Sequence, residues 1–245
     1  MVKLAFDAGH GLYTSGKQTP DGEKEWSFNN AVLNAFANEL KKYYGIEMLR
    51  VDDPTGKVDV PLKQRTDKAN SWKADYYISF HHNANTSKWG TWTGVETFVY
   101  DKTTNPKSIG LANAIHPALV KGYGLRDRGI KRGNLHIVRE TNCAAILVEG
   151  GFMDSTIDIK VLRDKAKLEN SGRLMAQAFA KYTNLKLKEV EKVVVKEKDN
   201  TVSKWAKEGV EWAIKNNISD GSRPKDAVTR EEVMTMLHRM SKLNK

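Results

Sequence analysis

The sequence predicts an α/β protein with an open, mostly parallel twisted sheet flanked by helices, followed by a small C-terminal helical-hairpin domain. Short apolar segments alternate with amphipathic segments from the first residue to about residue 184, an alternation typical of α/β domains. Two further helical stripes follow residue 200. We therefore predict a first domain at 1–184, a charged linker at 185–200 and a second domain at 201–245.

Six apolar segments are the predicted strands of the sheet. Each has four to six residues, a usual strand length, and Gly or Asp residues precede several of them. The predicted strands are 4–7, 46–51, 76–80, 95–100, 135–138 and 144–148.

Four amphipathic segments are the predicted helices of the first domain. In the first of them, Ala35 and Phe36 follow Val32 by three and four positions, as a helix with one buried face requires. Gly45 comes after this segment, and Gly commonly follows the end of a helix. The predicted helices are 26–44, 62–72, 109–122 and 167–182.

The C-terminal part divides into a linker and two helical stripes. Residues 185–200 carry alternating charges and have no apolar stripe wide enough for a core element, although a run of three valines leaves a local docking contact open. Thr229 and Glu232 form the pattern of a capping box, which predicts the start of the last helix. The stripes consist of Val202, Trp205, Ala206, Gly209, Trp212 and Ala213, and of Val233, Met236, Leu237 and Met240.

The composition limits the kinds of site and partner. Lys and Arg exceed Asp and Glu by 40 to 30, and the resulting charge of +10 favours polyanions without selecting one. The single cysteine, Cys143, excludes an intrachain disulfide and a zinc site built from cysteines, so a metal would need His and carboxylate ligands. No apolar run reaches the roughly 18 residues that cross a bilayer, and no signal peptide is recognised. We expect a cytoplasmic product without a membrane partner.

Polar side chains follow three of the predicted strands at the points where these end. His10 follows the first strand, His81 and His82 follow the third, and Glu149 follows the last. Because ligands of an open α/β sheet bind at the carboxyl ends of its strands, we expect these groups to meet at one edge. Two His and a carboxylate are a usual ligand set for catalytic zinc.

The third zinc ligand stays open between two residues. Glu23 and Glu25 both lie near the start of the first predicted helix, and their spacing does not choose between them. His82 is the weaker of the adjacent histidines, since successive residues of a strand point to opposite sides. Each histidine, taken alone, also has an ordinary interpretation as a structural or solvated residue. We adopt it for His116, expected at a helix end or on the surface, and for His238, expected on the surface.

Several segments of the first domain, in order, match the pattern of one enzyme family. They resemble the zinc N-acetylmuramoyl-L-alanine amidases of the amidase 3 type, which cut peptidoglycan between the lactyl group of muramic acid and L-alanine. The matching segments are FDAGHG at 6–11, EWSFN at 25–29, the helix at 62–70, ISFHHNAN at 78–85, GVET at 94–97, the stretch at 128–141 and ILVEGGF at 146–152.

The resemblance implies a zinc ion and a role for each acidic or imidazole group. It implies that His10, Glu25 and His81 hold the metal, which favours Glu25 over Glu23. Glu149 is then expected to take the proton of the attacking water and return it to the leaving nitrogen. His82 stands where the family usually has a small residue, so an alternative ligand or a pocket role stays open for it.

Other side chains near the predicted edge are candidates for substrate contacts. Glu96 is expected to orient a ligand or bind substrate. Positive charge is expected at the same edge, where it suits an acidic stem peptide, and it comes from Arg126, Arg128, Lys131 and Arg139.

The second domain resembles an S-layer homology module, a kind of domain that binds secondary cell-wall polymers of Gram-positive bacteria. The resemblance rests on a Trp-rich first helix, on Pro224 and on VTREE at 228–232. It implies Arg230 and Trp212 as polymer contacts, and a core position explains Trp212 equally well. The turn is shorter than usual and one copy is present where three commonly form the binding unit, which a homo-oligomer sharing modules between chains would reconcile.

Together these features predict a phage or prophage endolysin, made in the host cytoplasm and released to the wall through a holin. A host enzyme of sporulation or mother-cell lysis would have the same features. Peptidoglycan is the expected substrate and zinc the expected cofactor. The competing interpretations are another zinc cell-wall hydrolase, a deacetylase or a carboxypeptidase, and a non-catalytic wall-binding protein. No nucleic-acid partner is expected. The net positive charge is the only feature of the sequence that favours such a partner.

Overall fold

The computed structural model describes residues 1–188 and 201–243. The chain forms two compact units, Met1–Glu189 and Val190–Lys245, which we describe separately. Within the described residues, no helix is long and apolar enough to cross a membrane.

The first unit is built on a six-stranded sheet and a short two-stranded one. The larger sheet has the strand order β3-β1-β4-β7-β5-β6, and the smaller one pairs β2 with β8. The strands are β1 Val2–Ala8, β2 Tyr43–Tyr44, β3 Ile46–Arg50, β4 Tyr76–Asn83, β5 Val95–Tyr100, β6 Asp127–Gly133, β7 Ala144–Phe152 and β8 Lys186–Leu187.

The strand directions bring several chain ends to one edge of the sheet. Strands β3, β1, β4 and β7 are parallel, whereas β5 runs antiparallel to β7 and parallel to β6. The carboxyl ends of β1, β4 and β7 therefore lie at the same edge as the amino end of β5. The predicted α/β class and mostly parallel sheet are confirmed.

Six helices cover the two faces of the sheet. Helix α6 packs against α1 and α3 on one face, where Phe36 lies edge to face with Phe80 and with Phe179 in the main core. Helices α2 and α4 lie on the other face, over a smaller core. The helices are α1 Glu25–Leu40, α2 Leu62–Ser71, α3 Pro106–Tyr123, α4 His136–Glu140, α5 Ile159–Leu162 and α6 Lys165–Tyr182.

One predicted element was wrong and one strand was not predicted, and both differences have a physical reason. Residues 135–138, predicted as a strand, belong mainly to helix α4, where Ile137 and Val138 are buried. A short apolar run does not distinguish a strand from a buried helical turn. Strand β6 was not predicted because its sequence, DRGIKRG, is polar. The strand lies at the edge of the sheet, where its residues are partly exposed and polar side chains are tolerated.

The boundary between the first domain and the linker also moves. The predicted linker began at residue 185, but Lys186–Leu187 pairs with Tyr43–Tyr44 as part of the first unit, and Leu185 packs on its core. The same pairing ends α1 earlier than the predicted residue 44. Residues 189–200 of the predicted linker lie outside the described residues.

The second unit contains a short 3₁₀ helix at Lys204–Ala206 and two α-helices, α7 Lys207–Lys215 and α8 Arg230–Ser241. The predicted capping box is present, since the Thr229 hydroxyl accepts from the Glu232 amide and Glu232 accepts from the Thr229 amide. Most apolar side chains of the two stripes are exposed, including Trp205 at 89% and Trp212 at 50%, whereas Ile218 is buried.

Candidate metal centre and active site

Three predicted ligands converge at the carboxyl edge of the sheet. His10 follows β1, Glu25 is the first residue of α1, and His81 lies near the end of β4. Nε2 of His10 is 3.4 Å from Glu25 Oε2, and Nδ1 of His81 is 3.1 Å from Glu25 Oε1. One ligand atom from each residue lies within 4.8 Å of the others, which is close enough to hold a single ion.

His10 reaches this position through an unusual backbone conformation. Its φ is +64°, a left-handed value that costs energy for a residue with a Cβ. The buried guanidinium of Arg65 donates to the carbonyls of Ala8 and His10, at 2.9 and 3.1 Å, and pairs with Asp7 at 2.7 Å. Arg65 thus fixes the turn on both sides of Gly9 and holds His10 toward Glu25.

The absence of a side chain at Gly9 makes room for the His81 ring. A Cβ on Gly9 would overlap that imidazole, which lies edge to face with His10 at a centroid distance of 5.0 Å. The φ of Gly9 is not in the left-handed region, so the requirement for glycine here is steric.

We expect Gly9→Ala to displace His81 and to weaken zinc binding. The fall in affinity should reach at least the roughly 10- to 100-fold range seen when groups supporting a metal ligand are removed. Competition with a chelating dye measures it. Gly209→Ala is the matched control, because a Cβ there meets nothing within 4 Å. Unchanged affinity in Gly9→Ala would contradict this packing account.

Burial and mutual charge set the protonation of these three groups. Burial lowers the pKa of His10 to about 4. Burial opposes charge on Glu25 and on His81, but their hydrogen bond and mutual attraction outweigh it: the pKa of Glu25 falls to about 2 and that of His81 rises. Without metal, the Glu25 carboxylate therefore favours the protonated form of His81. A cation must displace that proton to bind, so metal affinity increases with pH.

Glu149 faces the same centre from the next strand. It is the register partner of His81 across the β4–β7 pair, and both line a cavity of about 240 Å³ together with His10 and Glu25. Its Oε2 is buried and has no hydrogen-bond partner within the described residues. Burial raises the pKa of Glu149 to about 8. A buried, unpaired carboxyl oxygen beside a ligand cluster is suited to proton transfer to or from a bound molecule.

We expect this raised pKa to make the metal-free protein less stable as pH rises. Folded Glu149 keeps its proton up to about pH 8, whereas the unfolded residue loses it near its ordinary value of 4.5, so stability falls across this interval. Each unit of pKa difference corresponds to about 1.4 kcal/mol. Denaturation of chelator-treated protein and of Glu149→Gln between pH 5 and pH 8 isolates the effect. The wild type should lose stability relative to the variant, and parallel curves would contradict the assignment.

His82 has a structural role instead of the open ligand role. Its Nδ1 lies 2.7 Å from Asn29 Oδ1 and its Nε2 2.9 Å from the Tyr123 hydroxyl, so both ring nitrogens have partners. Asn29 in turn donates to Glu25 Oε1 at 3.3 Å and to the carbonyl of Gly9 at 3.1 Å. His82 therefore orients Asn29, and Asn29 orients Glu25.

The choice between Glu23 and Glu25 is visible in the geometry. Glu23 is exposed and pairs with Arg163 at 2.6 Å, whereas Glu25 is buried against the histidines. His116, which we expected at a helix end or on the surface, is buried within α3 and contacts Thr97 and Asp127.

The candidate substrate contacts lie in three places. Glu96 lies directly opposite Glu149 across the β5–β7 pair and is buried. Arg139 does not lie with it: its guanidinium contacts Asn134 and Glu140 on α4, and the Glu140 carbonyl accepts from Asn70 at the end of α2. Helices α2 and α4 end where β4 and β7 begin, so Arg139 belongs to the opposite edge of the sheet. Arg230 begins α8 in the second unit and is exposed.

Two buried residues that shape the site were not assigned roles from sequence. Arg65 stands on the buried stripe of α2 beside Thr66 and Ala69, a position where a charged residue needs a partner. Asp154 is fully buried and accepts from the amides of residues 85–87 and from Trp92 Nε1, which fixes the loop lining the cavity. The sequence of α2 is mostly polar, so the charge of Arg65 gave no signal there, and periodicity gave none for Asp154.

The donor set fits a zinc ion. Two imidazoles and one carboxylate within reach of a common point leave a position open for water or substrate, as catalytic zinc sites do. The Glu149 side chain lines the same cavity, and its buried Oε2 has no hydrogen-bond partner within the described residues.

Comparisons with known proteins point to one enzyme family. Residues 4–181 match the family model Amidase_3, N-acetylmuramoyl-L-alanine amidase. The chain is 36% identical over 188 residues to the N-acetylmuramoyl-L-alanine amidase CwlM of Bacillus licheniformis, covering 76% of this chain and 70% of that protein. It is 32% identical over 193 residues to the endolysin of Bacillus phage SPP1, covering 77% and 69%.

A solved structure extends the similarity to the fold. The catalytic domain of CwlV, an N-acetylmuramoyl-L-alanine amidase from Bacillus (Paenibacillus) polymyxa var. colistinus, superposes with a TM-score of 0.68 at 29% identity. The match covers 76% of this chain and all of that domain. The family model spans well over half of the chain, and the sheet, the helices and the cluster at the sheet edge lie within it. The chain therefore belongs to the Amidase_3 family of N-acetylmuramoyl-L-alanine amidases.

Proposed function

We propose that the chain carries out its family's reaction, hydrolysis of the amide between N-acetylmuramic acid and L-alanine in peptidoglycan, with a zinc ion held by His10, Glu25 and His81. Glu149 is the proposed proton-transferring residue. The observation that carries this proposal is the placement of Glu149: its side chain lines one cavity with the three ligands, and its buried Oε2 has no hydrogen-bond partner within residues 1–188 and 201–243.

Zinc bound there would act as a Lewis acid, lowering the pKa of water and polarising the scissile carbonyl. Glu149 accepts the proton of the attacking water and donates it to the leaving nitrogen. Burial favours the protonated form of Glu149, whereas a nearby cation favours its ionised form. The ionised form can accept the proton of the water, and the protonated form can donate it to the leaving nitrogen. His82 and Asn29 keep Glu25 oriented, and Arg65 keeps His10 in place.

Product analysis of digested walls tests the reaction. Purified walls are treated with the protein, with and without chelator, and the released amines are labelled by dinitrophenylation. The proposal predicts new amino-terminal L-alanine, suppressed by chelator and restored by zinc. A deacetylase would release acetate and leave amino sugars, and a carboxypeptidase would release D-alanine. Either product without amino-terminal L-alanine would contradict the proposal, as would a protein that binds walls without releasing any product.

The second unit is proposed to bind a secondary cell-wall polymer, with Arg230 and Trp212 as contacts. Exposed aromatic side chains support this role, because the indole rings of Trp205 and Trp212 are accessible in the unit as described. Peptidoglycan and this polymer are then the two partners of the chain.

The exposed apolar stripes of the second unit also support a homo-oligomer. Val233, Leu237 and Met240 lie along one side of α8 and are exposed, and burying them against a second copy would remove apolar surface from water. We expect sedimentation analysis of the full chain to show an oligomer that Leu237→Asp dissociates. The exposed Leu62→Asp in the first unit serves as the control. A monomer at all concentrations would contradict the proposal.

An endolysin role is the proposed biological setting. Similarity to the endolysin of phage SPP1 supports it. In this setting the chain is made in the host cytoplasm and reaches the wall through a holin. Lysis of host cells on co-expression with a holin, and its absence without one, tests this route.

A further inference from the structure

A cluster of charges next to Glu149 is not used by the proposed proton transfer. Glu96 is buried directly opposite Glu149, and its carboxylate accepts from Asn83 Nδ2 at 2.6 Å. The same carboxylate pairs with Arg128 Nε at 2.7 Å and with Lys131 Nζ at 2.5 Å. Two cations thus share one acid, which leaves this cluster with one net positive charge.

A bulge in strand β6 brings both cations to Glu96. In a regular strand, residues three positions apart, such as 128 and 131, point to opposite faces. The β5–β6 register shifts between Val95 and Thr97, and Gly129 at this point has a φ of +83°. The extra residue reverses the alternation, so both side chains reach the same carboxylate. Bulges of this kind often re-aim side chains next to active sites.

The Arg128 side chain is fixed by contacts with Gly94, Phe152 and Glu96, and its terminal nitrogens, unpaired among the described residues, are free to bind a ligand. Its stem passes over Gly94, where an added Cβ would lie 2.8 Å from Arg128 Cγ. Its guanidinium stacks on Phe152, with 4.9 Å from Cζ to the ring centroid, and its Nε is bonded to Glu96. The two terminal nitrogens have no hydrogen-bond partner in the part of the chain that the structure describes, and the side chain is 29% exposed. A guanidinium fixed in this way presents a rigid fork suited to a carboxylate.

The order of the strands tells which part of the substrate reaches this fork. The metal ligand His81 lies on β4, Glu149 on β7, Glu96 on β5 and Arg128 on β6, which are consecutive neighbours in the sheet. Because Glu149 returns a proton to the leaving nitrogen, the leaving peptide lies on its side of the centre. The peptide then continues past Glu149 toward Arg128.

We infer that Arg128, with Lys131 beside it, forms a subsite for a carboxylate of the leaving peptide, downstream of the scissile amide. This inference rests on the proposed function. In a stem peptide with a γ-linked D-glutamate after L-alanine, the free α-carboxylate of that residue is such a group, and a terminal carboxylate of the third residue is the other source. Amidation of the D-glutamate removes the charge while keeping the shape.

Matched substrates test the subsite. Hydrolysis is measured with N-acetylmuramoyl-L-alanyl-D-glutamate whose γ-carboxyl is blocked as an amide, and with the α-carboxamide of the same compound, using the zinc-loaded wild type and Arg128→Met. We expect the wild type to prefer the acid, and Arg128→Met to lower kcat/KM for the acid by about 10- to 100-fold, the usual weight of a hydrogen bond to a charged group. For the carboxamide we expect a change of no more than about threefold. Arg132→Met, whose guanidinium contacts the carbonyls of Asp101 and Thr103, is the control.

Each other outcome has a distinct meaning. An equal fall for both substrates would overturn the subsite and assign Arg128 a structural role. A wild type that cleaves neither substrate would contradict the proposed function itself. A tripeptide with an amidated second residue that remains sensitive to Arg128→Met would place the recognised carboxylate on the third residue.

A binding measurement separates recognition from folding. The zinc-loaded Glu149→Gln variant should bind the acid more tightly than the carboxamide in calorimetry, and adding Arg128→Met should remove that difference. If Arg128→Met alone unfolds, the same measurement is made on the double variant Arg128→Met/Glu96→Gln. This variant also removes the Glu96 carboxylate, which would otherwise lose its Arg128 partner. A preference for the acid that persists without Arg128 would overturn the inference.

Discussion

Glu149→Gln is expected to fold and to bind zinc as the wild type does, while losing most of its peptidoglycan hydrolysis. Glutamine has nearly the same shape but cannot accept the proton of the attacking water or return it to the leaving nitrogen. Such proton transfer is worth about 10²- to 10⁴-fold in rate. Because the Oε2 atom of Glu149 has no partner among the described residues, the substitution removes no hydrogen bond at that atom.

Amine release from purified walls measures this loss, and metal analysis by mass spectrometry measures the retained zinc. Glu140→Gln is the matched control, because that exposed residue pairs with Arg139 at the opposite edge of the sheet. A Glu149→Gln protein that digests walls at near the native rate would show that another group transfers the proton. Loss of zinc in this variant would make Glu149 a ligand instead.

His81→Ala is expected to lose the metal itself, and activity with it. The imidazole lies 3.1 Å from Glu25 and edge to face with His10, so its removal leaves only two of the three ligands. The loss of affinity should exceed the roughly 10- to 100-fold cost of disturbing a supporting group. It should also exceed the effect of Gly9→Ala, in which the imidazole is displaced but present.

Zinc titration against a chelating dye, with circular dichroism to show retained secondary structure, measures this prediction. His238→Ala in the second unit is the matched control, because its side chain is exposed and far along the chain from the cluster. Stoichiometric zinc in His81→Ala at native affinity would remove His81 from the ligand set.

The sheet and the positions of the site residues could be predicted from sequence because both depend on local pattern. Apolar runs of strand length gave five of the six strands of the main sheet, and the rule that parallel strands present their carboxyl ends together placed His10, His81 and Glu149 at one edge. Strand β6 escaped because an edge strand needs no apolar run. Helix α4 was misread because a run of four residues, three of them apolar, fits either element.

The groups that hold the site in place depend on contacts between distant segments, which pattern does not encode. Arg65 donates to the backbone carbonyls of Ala8 and His10, which precede it by 57 and 55 positions. His82 contacts Asn29 on α1 and Tyr123 on α3. Both imidazole nitrogens of His82 have hydrogen-bond partners inside the core. The positive φ of His10 could not be predicted either, because glycines flank this residue and a turn there would normally be assigned to them.

The same limit explains the misplaced Arg139. Its position in a basic stretch close to family-like segments suggested the catalytic edge, but α4 runs back toward the start of β7. Arg128 and Lys131, from the same stretch, reach the site because the bulge at Gly129 turns them toward Glu96. The sequence shows how many cationic side chains this stretch contains. The strand register determines which of them lie at the active-site edge of the sheet.

Anomalous X-ray diffraction from crystals of the zinc-loaded protein, recorded on both sides of the zinc absorption edge, tests the central claim most directly. We predict one strong peak per chain, bounded by imidazole nitrogens of His10 and His81 and a carboxylate oxygen of Glu25, with Glu149 outside direct coordination. A peak bound by other residues, or none at this cluster in crystals of protein that hydrolyses walls, would contradict the account.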